Sequence, residues 1–348
     1  MRSLLAPVLA LAALCASGLA QTELRYAPED GAVLRRNFEV RHFLAVTRSV
    51  TRTEGLEELG QRSFDLRNVE KLQASDRILK VEGGRPVSFR RYFDRGGLDG
   101  FAELSGVGGA VNLRAVGISR LKGKSVMFSW IPEDALFGRY FDAAEGVEED
   151  LRFMREDLDL RAFLPDGPVE VGAPWSVAPT AMGDALSPGG MLTFDFSKSK
   201  NISLARTLRL GTGSHLFELF KGEVEGEVTA SLKSVEVVEE VRLAVVAVEW
   251  DVKTTTDLTD LARRNRAAGE LQFDKEMIGM DVTLLLKGEG TFRWDLENGH
   301  LADYDFSSAE DVHSSVRSRV GEKGKVREEL LEMGGRVVVT GKVERRDR

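Results

Sequence analysis

Cysteine is all but missing from this chain. The one residue, Cys15, lies in an N-terminal stretch that reads as removable. The rest has no disulfide, no thiol nucleophile and no thiolate for zinc. Histidine is scarce too. His42, His215, His300 and His313 show no spacing that sets two on one helical turn, so no metal site is readable. Positive charge is not in excess, with 48 Lys+Arg against 56 Asp+Glu and a net charge of −8. That balance excludes the electrostatic footprint of a non-specific nucleic-acid binder. Past residue 20 no apolar run approaches membrane-spanning length, so no membrane span is expected after that point.

Catalytic and cofactor motifs are missing as well. Gly117 to Ser125 imitates a phosphate-binding loop but has one residue too many between its glycines, and no helix follows. Gly211-Thr212-Gly213-Ser214-His215 lacks the glycine that a nucleophile elbow needs after its serine, and reads as a polar turn. Asn201-Ile202-Ser203 is a glycosylation sequon only in a eukaryotic host. No catalytic residue, metal ligand or cofactor is assigned.

What is present begins with Met1-Arg2, an apolar stretch from Leu4 to Cys15, and Gly18-Leu19-Ala20 before Gln21. One cation, a short apolar core and small residues before the cut predict a cleavable signal peptide over 1–20. Pro7 interrupts the stretch, which is shorter than the roughly 20 residues needed to span a bilayer. Leu14 stands where a lipoprotein signal places a small residue before its cysteine, which argues against lipidation. The expected product is periplasmic or secreted. Without Arg2 it carries 47 basic against 56 acidic residues, a net charge of −9.

Residues 21–348 read as one β-rich body, with room for two lobes joined around 165–215. Val282, Leu284, Leu286, Gly288, Gly290, Phe292, Trp294 and Leu296 fill successive even positions, while the odd ones between are polar except Leu285. Period two means a half-buried strand. Gly288 and Gly290 on its apolar face predict a bend or a close approach by another group. A three-residue loop ending in Gly299 pairs Trp294 with Ala302 and Phe292 with Tyr304. The same logic at Leu121-Lys122-Gly123 pairs Ile118 with Val126 and Val116 with Phe128.

Further strands follow the same period. Leu34, Phe38, Val40, Leu44, Val46 and Val50 mark one face of a long first strand. Ala244, Val246, Val248, Trp250 and Val252 mark another, and Val337, Val339 and Val343 the last. Gly83-Gly84 joins the Leu79–Val81 and Val87–Phe89 arms of a hairpin. Helices are few. Val147, Leu151, Met154 and Leu158 form one helical stripe, and Asp257 to Ala268 reads as a short helix stopped at Gly269. Lys325–Met333 fits either helix or strand.

The fold class is mainly β: a large, twisted antiparallel sheet, half-barrel or two-lobed, with a few short helices. An outer-membrane barrel does not fit, because aromatics are 7% and charged residues occupy the second face of the clearest strands.

On the first strand Arg36, His42 and Arg48 share the apolar face with Phe38. Trp130, Trp250 and Trp294 share parity with the apolar faces of their own strands, beside Phe128 and Phe292, and Leu284 lies on the same face as Phe292. These ten residues are the candidates for the wall of a ligand cavity.

Gly84-Arg85-Pro86, Gly172-Ala173-Pro174-Trp175 and Gly290-Thr291-Phe292 resemble elements of uncharacterised exported bacterial β-proteins, with which no established activity travels. The architecture is also similar to that of bacterial lipoprotein carriers, whose half-barrels cup acyl chains. That resemblance implies an envelope protein binding or carrying an apolar or amphiphilic ligand, with a lipid as partner. A structural or protein-interaction component of the envelope is the alternative. An enzyme with a site assembled from scattered carboxylates or histidines is the second. Mass spectrometry of the exported protein should show a chain starting at Gln21 without a fatty acid; a product starting at lipidated Cys15 would overturn this processing.

Overall fold

The computed structural model describes residues 21–60, 63–106, 109–143, 146–190, 192–199, 218–267, 276–320 and 325–346. Fourteen strands form one sheet among the described residues. In chain order they begin with β1 (Val33–Thr53), β2 (Leu56–Leu59), β3 (Ser63–Glu82) and β4 (Arg85–Gly106). Next come β5 (Gly109–Ser119), β6 (Ser125–Ile131), β7 (Leu136–Phe141), β8 (Pro174–Val177) and β9 (Phe194–Asp195). The series closes with β10 (Glu223–Val238), β11 (Val241–Asp257), β12 (Glu276–Asp295), β13 (His300–Val320) and β14 (Lys325–Arg346). The main path runs β7-β6-β4-β3-β1-β14-β13-β12-β11-β10-β8, all antiparallel. Its two ends do not pair, so the sheet is not closed into a barrel.

The two-residue period decides which face is which. The even residues of β1, from Leu34 to Leu44, are buried together with Val246, Val248 and Trp250 of β11 and Leu284, Leu286, Phe292 and Trp294 of β12. The opposite face carries charge ladders, with Lys71 on Glu39 at 2.8 Å and Lys287 on Asp251 at 3.0 Å. Such a surface suits water rather than lipid. Lys325–Met333 is strand, part of β14. Thr259–Ala267 is a helix as expected, α2; Thr259 N–H bonds Asp257 Oδ1 at 2.8 Å. Its expected stop at Gly269 lies outside the described residues.

Three local expectations are corrected. Leu121-Lys122-Gly123 does not reverse the chain. Both β5 and β6 pair with β4, one after the other, because β4 is long enough to take both. Phe93 holds the segment between them as a bulge, through Phe93 N–H to Lys124 O at 3.0 Å and Gly123 N–H to Phe93 O at 2.8 Å. In the β12–β13 hairpin Phe292 faces Tyr304 as expected, but a bulge after Arg293 sets Trp294 opposite Leu301 instead of Ala302. Gly299 does take the left-handed conformation, with φ of 62°.

The third correction is the Val147–Leu158 stripe, which forms a 3-10 turn at Glu148–Leu151 and then irregular chain rather than an α-helix. Arginines distant in sequence take the carbonyls that a helix would bond internally. Arg139 donates to Met154 O, and Arg91 donates to Arg155 O and Glu156 O at 2.8 Å each. Leu151, Met154 and Leu158 are still buried; Val147 is exposed.

This stretch, together with a second 3-10 turn at Arg161–Phe163 and the short helix α1 (Ala181–Leu186), lies over part of the buried sheet face. Phe163 packs against Phe306 and Phe292, with centroids 5.8 and 6.5 Å apart, and Tyr304 donates to Ala185 O at 3.2 Å. The expected close approach over the β12 glycines is made by the β13 backbone and by rings. A Cβ at Gly288 would sit 2.7 Å from Trp250 Cζ2, and one at Gly290 would strike Phe306.

Trp294 is fully buried and donates from Nε1 to Arg25 O at 3.2 Å. Arg293, its neighbour on the other face, pairs with Asp303. Trp294→Asp is therefore expected to destabilise the protein by about 4 kcal/mol or more, and Arg293→Gln by about half a kcal/mol. Chemical denaturation of both variants checks the assignment of faces; equal losses would contradict it.

Candidate functional site

Register turns the inner face into rungs that cross neighbouring strands. One rung holds Leu72, Phe38, Gly341, Tyr304, Phe292 and Val246. The next holds Leu98, Glu70, Val40, Val339, Phe306, Gly290 and Val248. Then come Asn68, His42, Val337, Ser308, Gly288 and Trp250, followed by Ala102, Leu66, Leu44, Gly335, Glu310, Leu286 and Val252. Val46, Met333, Val312, Leu284 and Thr254 form the rung after that.

On the near side of this series the charges are matched. Arg36 donates to Asp76 at 3.1 Å and pairs with Asp159, while Arg91 grips both Asp76 oxygens at 2.8 Å. Two guanidiniums meet two carboxylates, all buried. Burial works against the charge of Arg36, but Asp159 and Asp76 outweigh it and raise its pKa. The network ties the covering segment to β1, β3 and β4.

In the middle of the series the polar groups are not matched. His42, Glu70 and Glu310 are 3%, 8% and 2% exposed. Both His42 nitrogens, both Glu310 oxygens and Glu70 Oε2 have no hydrogen-bond partner. His42 Nδ1 stands 3.7 Å from Glu310 Oε1. They meet diagonally across β14, where His42 faces Val337 and Glu310 faces Gly335. Burial pushes Glu70 up to about 8 and Glu310 up to about 8, with repulsion from Asp311 adding to the latter; burial pushes His42 down to about 4. Ser308 beside them accepts from Trp250 Nε1 at 3.0 Å and donates to Ala309 O at 2.9 Å, so it is not bonded to His42. Among the described residues no three His, Cys, Asp or Glu side chains converge on a metal position.

The other inward positions are apolar again from this rung onward, with Leu44, Leu66, Ala102 and Leu286 buried beside Glu310 and Leu284 buried one rung past it. Near the far edge of this region, the hydroxyls of Thr254 and Thr256 hold Leu219 O.

The ten candidate residues fall into separate groups. Phe38, Phe128, Phe292, Trp294 and Arg36 lie in the packed core on the near side of the belt, where rings and ion pairs from the chain itself fill the space. His42 and Trp250 lie in the belt and Leu284 beyond it. Trp130 is 37% exposed at the sheet margin, edge-on to Phe137. A bulge between Val46 and Arg48 breaks the alternation, and Arg48 points outward to Glu332 at 3.4 Å. Glu70 and Glu310 escape a reading that follows β1 alone. The signal for them is parity: Leu66-Asn68-Glu70-Leu72 and Phe306-Ser308-Glu310-Val312 each carry an acid through an apolar register. Residues 200–217, which hold the sequon and the Ser214-His215 pair, lie outside the described residues.

No protein-family profile matches the chain. No curated protein matches it either. Among solved structures it is similar to an outer membrane channel from Pseudomonas putida F1, at 10% identity and a TM-score of 0.18, over 89% of this chain and 97% of that one. It is also similar to lipovitellin, from a structure described by its lipid–protein interactions, at 11% identity and a TM-score of 0.22, over 91% of this chain and 26% of that one. At these values neither carries an argument.

The belt makes a test of its own. A carboxyl with a raised folded pKa contributes stability that is complete below its unfolded value near 4.5 and is lost as pH rises through about 8. His42, lowered in the fold, acts oppositely: its contribution is complete above 6.5 and is lost as pH falls toward 4. The double variant Glu70→Gln/Glu310→Gln lacks the first effect. Its stability relative to the unsubstituted protein should rise by on the order of 3 kcal/mol per carboxyl replaced between about pH 5 and pH 8, measured by urea unfolding. Parallel pH profiles would show that the two carboxyls are not buried.

Proposed function

We propose that this is an exported protein, periplasmic or secreted, that holds an apolar or amphiphilic molecule on the inner face of its sheet. The apolar part lies along Leu44, Leu66, Ala102, Leu284 and Leu286, and the polar end meets the belt of His42, Glu70 and Glu310. One observation carries the reading: buried acid and base groups without hydrogen-bond partners are set among apolar residues of the inner face, at the margin of its packed core. Buried polar groups are nearly always paired, and each unpaired one costs about 1–3 kcal/mol. A small number of polar groups set in an apolar face is the arrangement that orients a ligand. Export rests on the residues before Gln21.

The enzyme reading has less support, since Ser308 is engaged elsewhere and no bond links it to His42. The interaction-component reading draws on a different feature. Leu136, Tyr140 and Trp130 are exposed at the β7 margin, which is a free edge of the sheet.

The protein should be purified from an exporting host without detergent, extracted, and the extract analysed by mass spectrometry. An amphiphile in stoichiometric amount is expected. After delipidation, dodecyl maltoside should change the tryptophan emission through Trp250. Leu284→Glu, if folded by circular dichroism, should abolish the response, whereas Leu136→Ala at the sheet margin should preserve it. Absence of both bound amphiphile and any emission change would remove the carrier reading and leave the interaction-component reading ahead.

A further inference from the structure

The ion pairing of the inner face is complete on one side of the belt and short of a cation within it. Arg36 and Arg91 are matched by Asp76 and Asp159. Among the described residues no arginine or lysine pairs with Glu70 or Glu310. The inward positions around them are Leu98 and Ala102 of β4; Leu66, Asn68 and Leu72 of β3; and Val40, His42 and Leu44 of β1. Across the sheet they are Gly335, Val337 and Val339 of β14; Phe306, Ser308 and Val312 of β13; Leu286 and Gly288 of β12; and Trp250 and Val252 of β11. No Lys or Arg is among them. Glu70, His42 and Glu310 are also short of donors among themselves. Two carboxyls and an imidazole supply at most three hydrogens when all are neutral, against unbonded oxygens on both glutamates and two unbonded imidazole nitrogens.

We infer that the amphiphile bound on this face carries an amine or ammonium head, which the belt of Glu70, His42 and Glu310 accepts. The inference rests on the amphiphile-binding reading and names its ligand class. An ammonium supplies both missing quantities, N–H donors and one positive charge. An anionic head would face two carboxyls with no cation to offset them. A metal ion is disfavoured by the side chains themselves, which among the described residues do not bring three ligands together. A neutral hydroxylated head supplies donors but no charge, and its affinity is indifferent to whether the carboxyls ionise. The ammonium is not indifferent. Its arrival favours the carboxylate form of a group that burial had kept protonated, so binding at neutral pH releases a proton.

The test uses the delipidated full-length protein near pH 7 and three probes with the same chain: dodecylammonium, dodecanoate and dodecyl maltoside. Calorimetry and tryptophan emission report affinity, and calorimetry in buffers of different ionisation enthalpy reports proton release. Dodecylammonium should bind about tenfold or more tightly than either other probe and release a proton. Glu310→Gln and Glu70→Gln, each of which removes an ionisable group from an apolar site and keeps its shape, should weaken dodecylammonium by about tenfold and spare dodecyl maltoside. Equal or tighter binding of dodecanoate or dodecyl maltoside would overturn the inference, as would amine affinity unchanged in both variants, while the amphiphile reading stood. If none of the three probes binds, the amphiphile reading itself fails and the head-group assignment falls with it.

Discussion

A sheet has two faces, and strands of 20 residues and more give this one an area that its few non-strand segments must cover on one side only. At about 3.3 Å per residue, β1 alone runs about 70 Å. Apolar residues alternate along most of that length, so the inner face demands cover, part of which α1 and the two 3-10 turns supply. The rest of the molecule follows from that constraint. The outer face is charged and self-paired. The covering segment is locked down where it lies, and the inner face changes character at the belt, beyond the ring contacts of Phe163.

The lock is electrostatic rather than helical. Asp76 receives Arg36 and Arg91 together, Asp159 joins from the cover, and Arg91 also binds two carbonyls of the covering chain. Four buried charges that cancel in pairs through direct hydrogen bonds are tolerable in an apolar setting; an isolated one is not. By that standard the adjacent belt is an exception within the same face. Its three groups are neutral at pH 7 because burial keeps them so, and two of them meet across a strand. Polar groups held ready but unpaired mark a functional site more often than a structural one.

Much of the sheet is legible in the sequence, because period two is a local property. The alternation from Val282 to Trp294 fixes inner and outer residues without knowledge of neighbours, and the Gly83-Gly84 hairpin declares itself by turn chemistry. Non-local choices are not legible in this way. Nothing near Leu121-Lys122-Gly123 reveals that β4 is long enough to take β5 and β6 in line. Nothing near Val147–Leu158 reveals that Arg91 and Arg139 claim its carbonyls. The candidate wall was half legible: parity on β1 leads to His42, but a one-residue bulge removes Arg48, and the partners of His42 come from strands remote in sequence. Glu310 is more than 260 residues away and joins His42 only through the β1-β14-β13 order.

The central claim is that the inner face beyond the belt receives a molecule whose polar end lies at His42, Glu70 and Glu310. The most direct measurement is a high-resolution crystal structure of protein purified without detergent. The account predicts elongated density along Leu44, Leu66 and Leu286 that ends within hydrogen-bonding distance of Glu310. Side chains of the protein filling that space, with Glu70 and Glu310 both hydrogen-bonded to the chain itself, would contradict it.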